Sequence, residues 1–256
     1  MLVVEDLVRH FGGLAALDGA SFAVDAGKIT GLIGPNGAGK TTLFNCISGM
    51  LKPTGGRARF DGADITGLAA HRVAGRGLVR TFQHARGFAR MSVFEHLLLH
   101  GQHQPGEHFG AALWPGRAAK AREAELTRTA WQVARRLKLD IVADRLVTQI
   151  SGGQKKLLEI GRALMAAPRM ILLDEPMAGV NPTLRNEIAE RLGALRDEGM
   201  TLLLIEHDMA LVRAVCDDVI VMAEGRFLAR GSFAGIAADP RVQAAYLGHA
   251  PSGTRR

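Results

Sequence analysis

The apolar positions of the chain follow two different patterns, and each pattern occupies its own segments. Towards both ends, short apolar runs such as "KITGLIG" (28–34), "RMILLDEP" and "MTLLLIEH" alternate with amphipathic helical stretches. Continuous apolar runs of this length are typical of strands that are buried on both faces of a parallel sheet. Strands that alternate with helices predict an α/β core built on such a sheet.

Two further stretches predict antiparallel pairing. The opening "LVVEDLVRHFGG" and the following "ASFAVDAGK" read as strands joined by turns, and "DDVIVMAEGRFLARG" reads as a hairpin that turns at Glu224 and Gly225. We therefore expect an antiparallel region at the N-terminal end and an antiparallel edge late in the chain.

The middle of the chain, residues 88–149, predicts helices and no strands. Ser92 and Glu95 have the spacing of a capping box at a helix start. A second helix follows the Gly/Pro/His-rich insertion 101–117, and its apolar positions recur at helical spacing at Leu126, Ala130, Val133 and Leu137. We expect one domain over 1–256, in which residues 1–87 and 155–256 form the core and residues 88–154 form an inserted helical subdomain.

Composition narrows the partners. With 256 residues and 47% hydrophobic content, the chain can bury one large core, and its net charge of +7 favours anionic partners. Cys46 and Cys216 lack the spacing of a disulfide framework, which fits a reducing, cytosolic compartment. No apolar run approaches the roughly 18 residues of a membrane span, and no secretory signal is visible. We therefore expect a soluble chain that meets a membrane through a partner.

The stretch "GPNGAGKTT" (34–42) predicts a phosphate-binding loop, because it matches G-x-x-x-x-G-K-[ST] between a strand and a helix. Its glycines let backbone amides wrap a β-phosphate, Lys40 neutralises the β- and γ-oxygens, and the Thr41 hydroxyl reaches Mg²⁺. The predicted phosphate-binding residues are Gly34, Asn36, Gly37, Ala38, Gly39, Lys40, Thr41 and Thr42.

Polar residues at strand ends predict the second half of this site. Asp174 and Glu175 follow an apolar strand, where open α/β sheets bind ligands. Asp174 suits a Mg²⁺-bound water, and Glu175 could polarise an attacking water as the general base. Gln83 could contact Mg²⁺ and sense the γ-phosphate, and His207 could bond that phosphate from another strand end.

A second anion site is predicted in "QISGGQKKLLEI". Ser151 suits an N-cap, and Gly152 and Gly153 then leave first-turn amides uncovered at the positive end of a helix. Since the phosphate loop already fills the chain's own phosphate site, the residues from Ser151 to Gln154 must face a different nucleotide. The economical solution is a head-to-tail dimer that closes around ATP.

The order of the phosphate loop, Gln83, SGGQ, Asp174-Glu175 and His207 resembles the ATP-binding subunit of ABC transporters over essentially the whole chain. The resemblance implies an α/β, P-loop NTPase (RecA-like) core with an N-terminal antiparallel β subdomain and an inserted α-helical signature subdomain. It also implies an ATPase with ATP and Mg²⁺ as cofactors and Phe11 stacked on adenine. Its expected partners are membrane permease subunits and a second ATPase subunit, at the cytoplasmic face of the inner membrane as a peripheral protein.

Finer features are similar to branched-chain amino acid importers: "VRTFQHARGF", "EPMAGVNP", "IEHDM", "AYLG" and the insertion, which suggests the larger of their two ATPase subunits. Such importers also use a periplasmic solute-binding protein, which this subunit would meet only indirectly. Two positions depart from the general pattern, because Ile150 replaces a leucine and Asn181 stands where most ABC proteins have an acid. The second departure leaves open whether both composite sites hydrolyse ATP equally.

Several alternatives stay open at this stage. An importer of urea or amides and a lipopolysaccharide exporter share most motifs, while a DNA-maintenance ATPase would need long heptad segments that the chain lacks, so no nucleic-acid partner is expected. Four arginines bracket Gln83 and could dock a permease or be ordinary surface residues: Arg76, Arg80, Arg86 and Arg90. Histidines 100, 103 and 108 lack partners at metal-ligand spacing.

Overall fold

The computed structural model describes residues 1–81, 88–104 and 116–247, and its strands form two sheets. The first sheet is antiparallel in the order β2-β1-β4-β5. Its strands are β1 (Leu2–Phe11), β2 (Leu14–Val24), β4 (Gly55–Phe60) and β5 (Ala63–Asp64). The N-terminal antiparallel region is therefore confirmed, and β4 and β5 extend it beyond the predicted strands.

The second sheet has six strands in the order β10-β9-β3-β8-β7-β6. Its strands are β3 (Ile29–Ile33), β6 (Leu78–Arg80), β7 (Met170–Asp174), β8 (Thr201–Ile205), β9 (Asp218–Ala223) and β10 (Arg226–Gly231). All neighbours are parallel except β9 and β10, and every residue of β3, β7 and β8 is buried. The apolar runs of the sequence are thus the central strands of a parallel sheet.

The predicted hairpin turns where the sequence places it. Glu224 (φ +50°) and Gly225 (φ +76°) both have positive φ between β9 and β10. Two consecutive positive φ angles are the signature of a type I′ turn, and glycine at the second position adopts one without a steric penalty. The antiparallel edge of the sheet is therefore set locally.

Nine α-helices lie in the described part of the chain. They are α1 (Lys40–Ile47), α2 (Ala70–Ala74), α3 (Val93–Leu99), α4 (Arg117–Arg136), α5 (Gly152–Met165), α6 (Pro182–Asp197), α7 (Met209–Val215), α8 (Phe233–Ala238) and α9 (Pro240–Leu247). None of these helices combines the length and the apolar character of a membrane span.

The described chain divides into two compact units. The first comprises Met1–Arg80, Arg169–Pro176 and the described residues from Leu192 onward, and it contains both sheets. The second comprises the described residues of Thr81–Pro168 and Met177–Arg191, and it contains α3, α4 and α5. This helical unit includes more of the chain than the predicted subdomain 88–154, and the functional division at those residues stays a prediction.

Helix packing explains the apolar stripe in the helical unit. Leu126, Ala130 and Val133 are buried on α4, and Leu137 is fully buried just after it. The α5 glycine Gly161 faces this layer, since a Cβ at that position would lie 2.8 Å from Leu97 and 3.1 Å from Leu137. Close approach of the helices therefore depends on a missing side chain.

The predicted capping box of α3 and the predicted N-cap of α6 are both present. At α3, the Glu95 N–H donates to Ser92 Oγ at 3.2 Å, and the Ser92 N–H donates to Glu95 Oε2 at 2.7 Å. Asn181 caps α6 by accepting from the Leu184 N–H at 2.9 Å, also as the sequence predicts. These helix starts are fixed by residues three positions apart, which is why sequence alone locates them.

A buried polar relay connects α3 and α5 within the helical unit. Arg162 on α5 donates to Nδ1 of His96 at 3.2 Å, and Nε2 of His96 lies 3.1 Å from the Phe88 carbonyl. Because Nδ1 accepts, the imidazole is the neutral tautomer that donates from Nε2. Burial and the nearby Arg162 charge lower the pKa of His96, which keeps the ring neutral.

Candidate functional site

The loop between β3 and α1 has the backbone of a phosphate cradle. Gly34, Gly37 and Gly39 adopt φ angles of +152°, +81° and +92°. A Cβ at Gly34 would overlap the Met222 carbonyl, and a Cβ at Gly39 would overlap the Ala16 carbonyl. Glycine is therefore required here both by conformation and by the closeness of neighbouring backbone.

Residues far away in sequence hold this loop. The Gly225 N–H, in the β9–β10 turn, donates to the Ala38 carbonyl at 3.2 Å, and the Asp18 N–H donates to the Gly225 carbonyl at 2.9 Å. Burial raises the pKa of Tyr246 on α9, and a hydrogen bond with the Gly34 backbone opposes that shift. The loop thus contacts β2, the late hairpin and the last described helix.

Lys40 is buried at the start of α1, and its ammonium group is held by the loop itself. Nζ donates to the Gly34 carbonyl at 2.7 Å and to the Pro35 carbonyl at 2.9 Å. Burial lowers the pKa of Lys40, while the negative charges of Glu175 and Asp174 oppose that shift. The cation is therefore positioned beside the loop amides, next to the two predicted acids.

Asp174 ends β7 and makes an ion pair that the sequence did not predict. Its Oδ2 accepts from Arg80 Nη2 at 2.7 Å, and Arg80 Nη1 donates to Asn45 Oδ1 on α1 at 2.6 Å. The Arg80 side chain is only 10% exposed, so the idea that Arg80 docks a permease is wrong. Its charge compensates a buried carboxylate instead, because an unpaired buried charge would be very unfavourable.

The three other bracketing arginines differ from Arg80. Arg76 binds the Asp64 carbonyl, Arg90 is exposed, and Arg86 lies outside the described residues. A docking role for them stays a prediction.

Glu175 and His207 come together at the carboxyl ends of β7 and β8. Glu175 Oε1 lies 3.2 Å from His207 Nε2, and the two side chains are 32% and 46% exposed. Glu175 has a positive φ of +48°, which a non-glycine side chain adopts at some conformational cost. The Glu175 N–H donates to the Ile205 carbonyl at 3.0 Å, which holds the backbone at this residue.

These groups share one cavity of about 450 Å³ in the first unit. It brings together most of the predicted phosphate site, Glu175, His207 and Phe11, which is 47% exposed. The lining residues are Phe11, Leu14, Ala15, Ala16, Asn36, Gly37, Ala38, Gly39, Lys40, Thr41, Thr42, Glu175, Ile205 and His207. A cation, loop amides, an acid and an aromatic ring around one space suit a nucleotide with its base and phosphates.

The residues predicted for Mg²⁺ are placed unevenly. Thr41 lines the cavity and Asp174 lies at the end of β7, an oxygen donor set that suits Mg²⁺, which keeps several waters. Gln83 lies outside the described residues. Within the part of the chain that is described, no three His, Cys, Asp or Glu residues cluster as metal ligands. His103 is exposed there, and His100 binds the His96 carbonyl at 2.8 Å.

The predicted second anion site lies in the helical unit, at the start of α5. The Gln154 N–H donates to Ser151 Oγ at 3.2 Å, and the Ser151 N–H donates to Gln154 Oε1 at 2.9 Å. Ser151 and Gly152 are exposed, whereas Gly153 is buried and a Cβ there would lie 2.8 Å from Leu184. The amides of Gly152 and Gly153 belong to the first turn and have no partner within the helix.

The structure adds residues that sequence reasoning missed. Arg80 binds Asp174, Arg9 packs on the Phe11 ring with its Cζ 4.7 Å from the ring centroid, and Tyr246 contacts Gly34. Only Arg9 carried a visible signal, since residues two apart in a strand share a face. The other two contacts join elements whose proximity only the fold reveals.

A phosphate loop after a strand, acids at neighbouring strand ends and a parallel sheet define a nucleotide-binding P-loop domain. The comparisons give its family. The family described as "ABC transporter" matches residues 17–178, and the one described as "Branched-chain amino acid ATP-binding cassette transporter" matches residues 228–251. The chain belongs to the ABC transporter family, as an ATP-binding cassette ATPase.

Relatives match over nearly the whole chain. The "High-affinity branched-chain amino acid transport ATP-binding protein BraF" of Pseudomonas aeruginosa is 41% identical, covering 98% of both chains. The "Probable branched-chain amino acid transport ATP-binding protein LivG" of Methanocaldococcus jannaschii is 40% identical, covering 97% of both. The solved ADP conformation of MJ1267, an ATP-binding cassette of an ABC transporter, has a TM-score of 0.83 and 38% identity, covering 97% of this chain and 99% of that one. The predicted family, fold class and ATPase activity are confirmed.

Proposed function

We propose that this chain is the ATP-hydrolysing, energy-coupling subunit of an importer for branched-chain or other hydrophobic amino acids. The observation that carries the proposal is the single cavity that holds the phosphate loop, Glu175 and His207. Near-full-length identity to two proteins named for branched-chain amino acid transport supports the substrate class. The segment 228–251, matched by a family of the same name, supports it further.

In this proposal, the cavity binds ATP with its base on Phe11 and its phosphates on the loop amides. Lys40 exchanges its bonds to the Gly34 and Pro35 carbonyls for bonds to phosphate oxygens. Thr41, Gln83 and, through a water, Asp174 hold Mg²⁺. Mg²⁺ held there would supply positive charge that offsets the negative charge developing on the phosphate oxygens.

Hydrolysis uses Glu175 as the general base. As water attacks the γ-phosphorus, one of its protons passes to the Glu175 carboxylate, and the bond from the γ-phosphorus to the β,γ-bridging oxygen breaks, which releases ADP and inorganic phosphate. This role requires the attacking water to lie within hydrogen-bond reach of the carboxylate. His207 Nε2 lies 3.2 Å from Glu175 Oε1, and in the ATP-bound site the ring N–H donates to the γ-phosphate. The two side chains therefore act together at the γ-phosphate end of the nucleotide.

The proposed assembly needs a second ATPase subunit, either another copy or a paralogue. Each subunit presents the first-turn amides after Ser151, with Gly152, Gly153 and Gln154, to the nucleotide of its partner. ATP then drives closure because only the γ-phosphate contacts both halves. The dimer acts on permease subunits at the cytoplasmic face of the membrane, where the chain is peripheral, and a periplasmic solute-binding protein delivers cargo.

A reconstitution experiment tests this function. The chain is co-expressed with the permease pair and the solute-binding protein encoded beside it, and uptake is measured in vesicles loaded with MgATP. We expect uptake of leucine, isoleucine and valine, abolished when Lys40→Ala replaces the native chain. ATP-dependent uptake of urea or acetamide without uptake of any branched-chain amino acid would contradict the substrate class.

A further inference from the structure

We propose that Arg9 is a positioning residue for the adenine base, because its guanidinium lies over the ring of Phe11, which lines the cavity, while Arg9 itself does not. This inference rests on the proposed stacking of adenine on Phe11. Arg9 does not belong to the cavity lining, while Phe11 does. The three groups would therefore stack in the order guanidinium, benzene ring, purine.

The strand places the two side chains together. Arg9 and Phe11 are two residues apart on β1, so they point to the same face. The register with β2 pairs Arg9 with Leu17 and Phe11 with Leu14, and the irregularity between Arg9 and His10 places the extra residue on β2, so both residues remain in the ladder. The guanidinium carbon lies 4.7 Å from the ring centroid, within the range of a cation–π contact.

The far end of Arg9 is anchored as well. Its Nη1 donates to the Lys52 carbonyl at 2.9 Å. That carbonyl follows Met50 and Leu51, whose N–H groups both donate to the Asn45 carbonyl of α1 at 2.9 Å. Arg9 therefore joins the ring that would bind the base to the helix that begins at the phosphate-binding lysine.

The contact leaves one face of Phe11 for a ligand. Phe11 is 47% exposed although the guanidinium lies over its ring, and the residue lines the cavity, so exposed surface remains there for a ligand. A phenylalanine that is fixed before binding loses less side-chain freedom when a base stacks on it. The cation also draws π-electron density towards its own side, which reduces repulsion between the opposite face and a purine.

Arginine suits this place better than lysine. Its planar guanidinium can lie over a ring and donate in its own plane at the same time, which an ammonium cannot do. Arg9 Nε is buried and finds no hydrogen-bond partner among the described residues. A buried donor without a partner is unfavourable, so a simple hydrogen-bonding role does not account for this placement.

A double-mutant cycle tests the inference. Arg9→Met, Phe11→Ala and the double variant are compared with the native chain by titration calorimetry, using MgADP and, as a base-free probe, magnesium pyrophosphate. Neither ligand is hydrolysed at a γ-phosphate. We expect Arg9→Met to weaken MgADP binding roughly three- to tenfold and to leave pyrophosphate binding unchanged. In the Phe11→Ala background, Arg9→Met should have no further effect.

Two further variants keep the test decisive. Arg59→Met on β4 is the matched control, since Arg59 is 43% exposed and lies 3.9 Å from Glu5; it should change neither affinity. Arg9→Lys keeps the charge, so it should fold even if Arg9→Met does not, and it should weaken MgADP alone by a smaller factor. Thermal unfolding of each variant checks the fold.

The outcomes separate this inference from the proposed function. Parallel weakening of pyrophosphate, or effects of Arg9→Met and Phe11→Ala that multiply, would overturn the role of Arg9 alone. Unchanged MgADP affinity in both Arg9 variants would do the same. If Phe11→Ala binds MgADP as the native chain does, the stacking role of Phe11 and the inference fail together.

Discussion

The two predicted phosphate-facing regions, the loop before α1 and the start of α5, are built in different ways. The loop lies in a cavity with Lys40, Glu175 and His207, and its backbone is held by Gly225, more than 180 residues later. The start of α5 is formed by Ser151 and Gln154, three positions apart, with Ser151 and Gly152 exposed. The first region combines charge, enclosure and long-range support, whereas the second offers an uncharged, open helix start.

The difference teaches what each region can do alone. A site with a buried cation and an acid can bind a charged ligand and activate water. Two first-turn amides on an exposed helix start add little affinity by themselves, because water competes for them. They become effective once a partner excludes that water, which is what the proposed dimer would do.

The sharpest way to break this comparison is Glu175→Gln in the enclosed site. We expect turnover to fall by about 10²- to 10⁴-fold, since a general base is lost while the side-chain volume is kept. ATP binding should persist, and an ATP-bound dimer should accumulate on size-exclusion chromatography. Glu190→Gln is the control in the assay that measures turnover as phosphate release, because the Glu190 side chain is 64% exposed. Unchanged hydrolysis by Glu175→Gln would refute Glu175 as the base.

Ser151→Arg tests whether the open region acts only between subunits. We expect ATPase activity to fall about tenfold or more, while MgADP affinity of the isolated subunit stays unchanged. Ser232→Arg is a matched control, because Ser232 caps α8 by accepting from the Gly235 N–H at 3.3 Å. Ser232→Arg removes a similar N-cap from a helix that does not carry Ser151. A loss of MgADP affinity in monomeric Ser151→Arg would contradict the in-trans assignment.

The two glycines that follow Ser151, Gly152 and Gly153, sharpen the comparison through their effects on the free energy of unfolding. Gly153→Ala should lower the free energy of unfolding by about 1–3 kcal/mol, because its Cβ would lie 2.8 Å from Leu184. Gly152→Ala, with open space around its Cβ, should leave stability equal or raise it by up to about 1 kcal/mol. Chemical denaturation of both variants measures the difference. Equal stabilities would mean that Leu184 moves freely away.

The smallest effect concerns the buried polar relay that connects α3 and α5 through His96 and Arg162. Burial and Arg162 lower the pKa of His96 below its ordinary value of 6.5, so the unfolded chain takes up a proton first as the pH falls. The contribution of neutral His96 to the free energy of unfolding should be fully present above pH 6.5. It should decrease as the pH is lowered from 6.5 towards the pKa of His96 in the folded chain.

The magnitude of this decrease should be less than the effect of Gly153→Ala. Urea denaturation at several pH values measures it, with the exposed His71→Gln as control. His96→Gln should reduce the dependence and leave the part due to His100, whose pKa burial also lowers. A slope that His96→Gln leaves intact would assign the proton uptake to another group.

Sequence predicts the elements that rest on nearby residues. The capping residues Ser92, Ser151 and Asn181 and the hairpin turn at Glu224 were all located because their signals span a few positions. The apolar strands were located because burial on both faces leaves an unmistakable run.

Sequence missed what depends on distant partners. The strand β4 reads "GGRARF", in which only four residues alternate after two glycines, and it forms because β1, some fifty residues earlier, pairs with it. The same holds for Arg80, which reads as one arginine among several near Gln83 and becomes a buried partner of Asp174 only in the folded chain. Pairs across large sequence separations carry no local signal.

The position of β3 has a consequence for how the chain is made. Its two neighbours in the sheet are β8 and β9, which begin at Thr201 and Asp218. The loop that follows β3 is held by a hydrogen bond from the Gly225 N–H to the Ala38 carbonyl. On a ribosome, an unfinished chain therefore exposes Lys40 long before the strands that surround it have left the exit tunnel. The nucleotide site is therefore completed late in synthesis, and truncated translation products should bind nucleotide weakly.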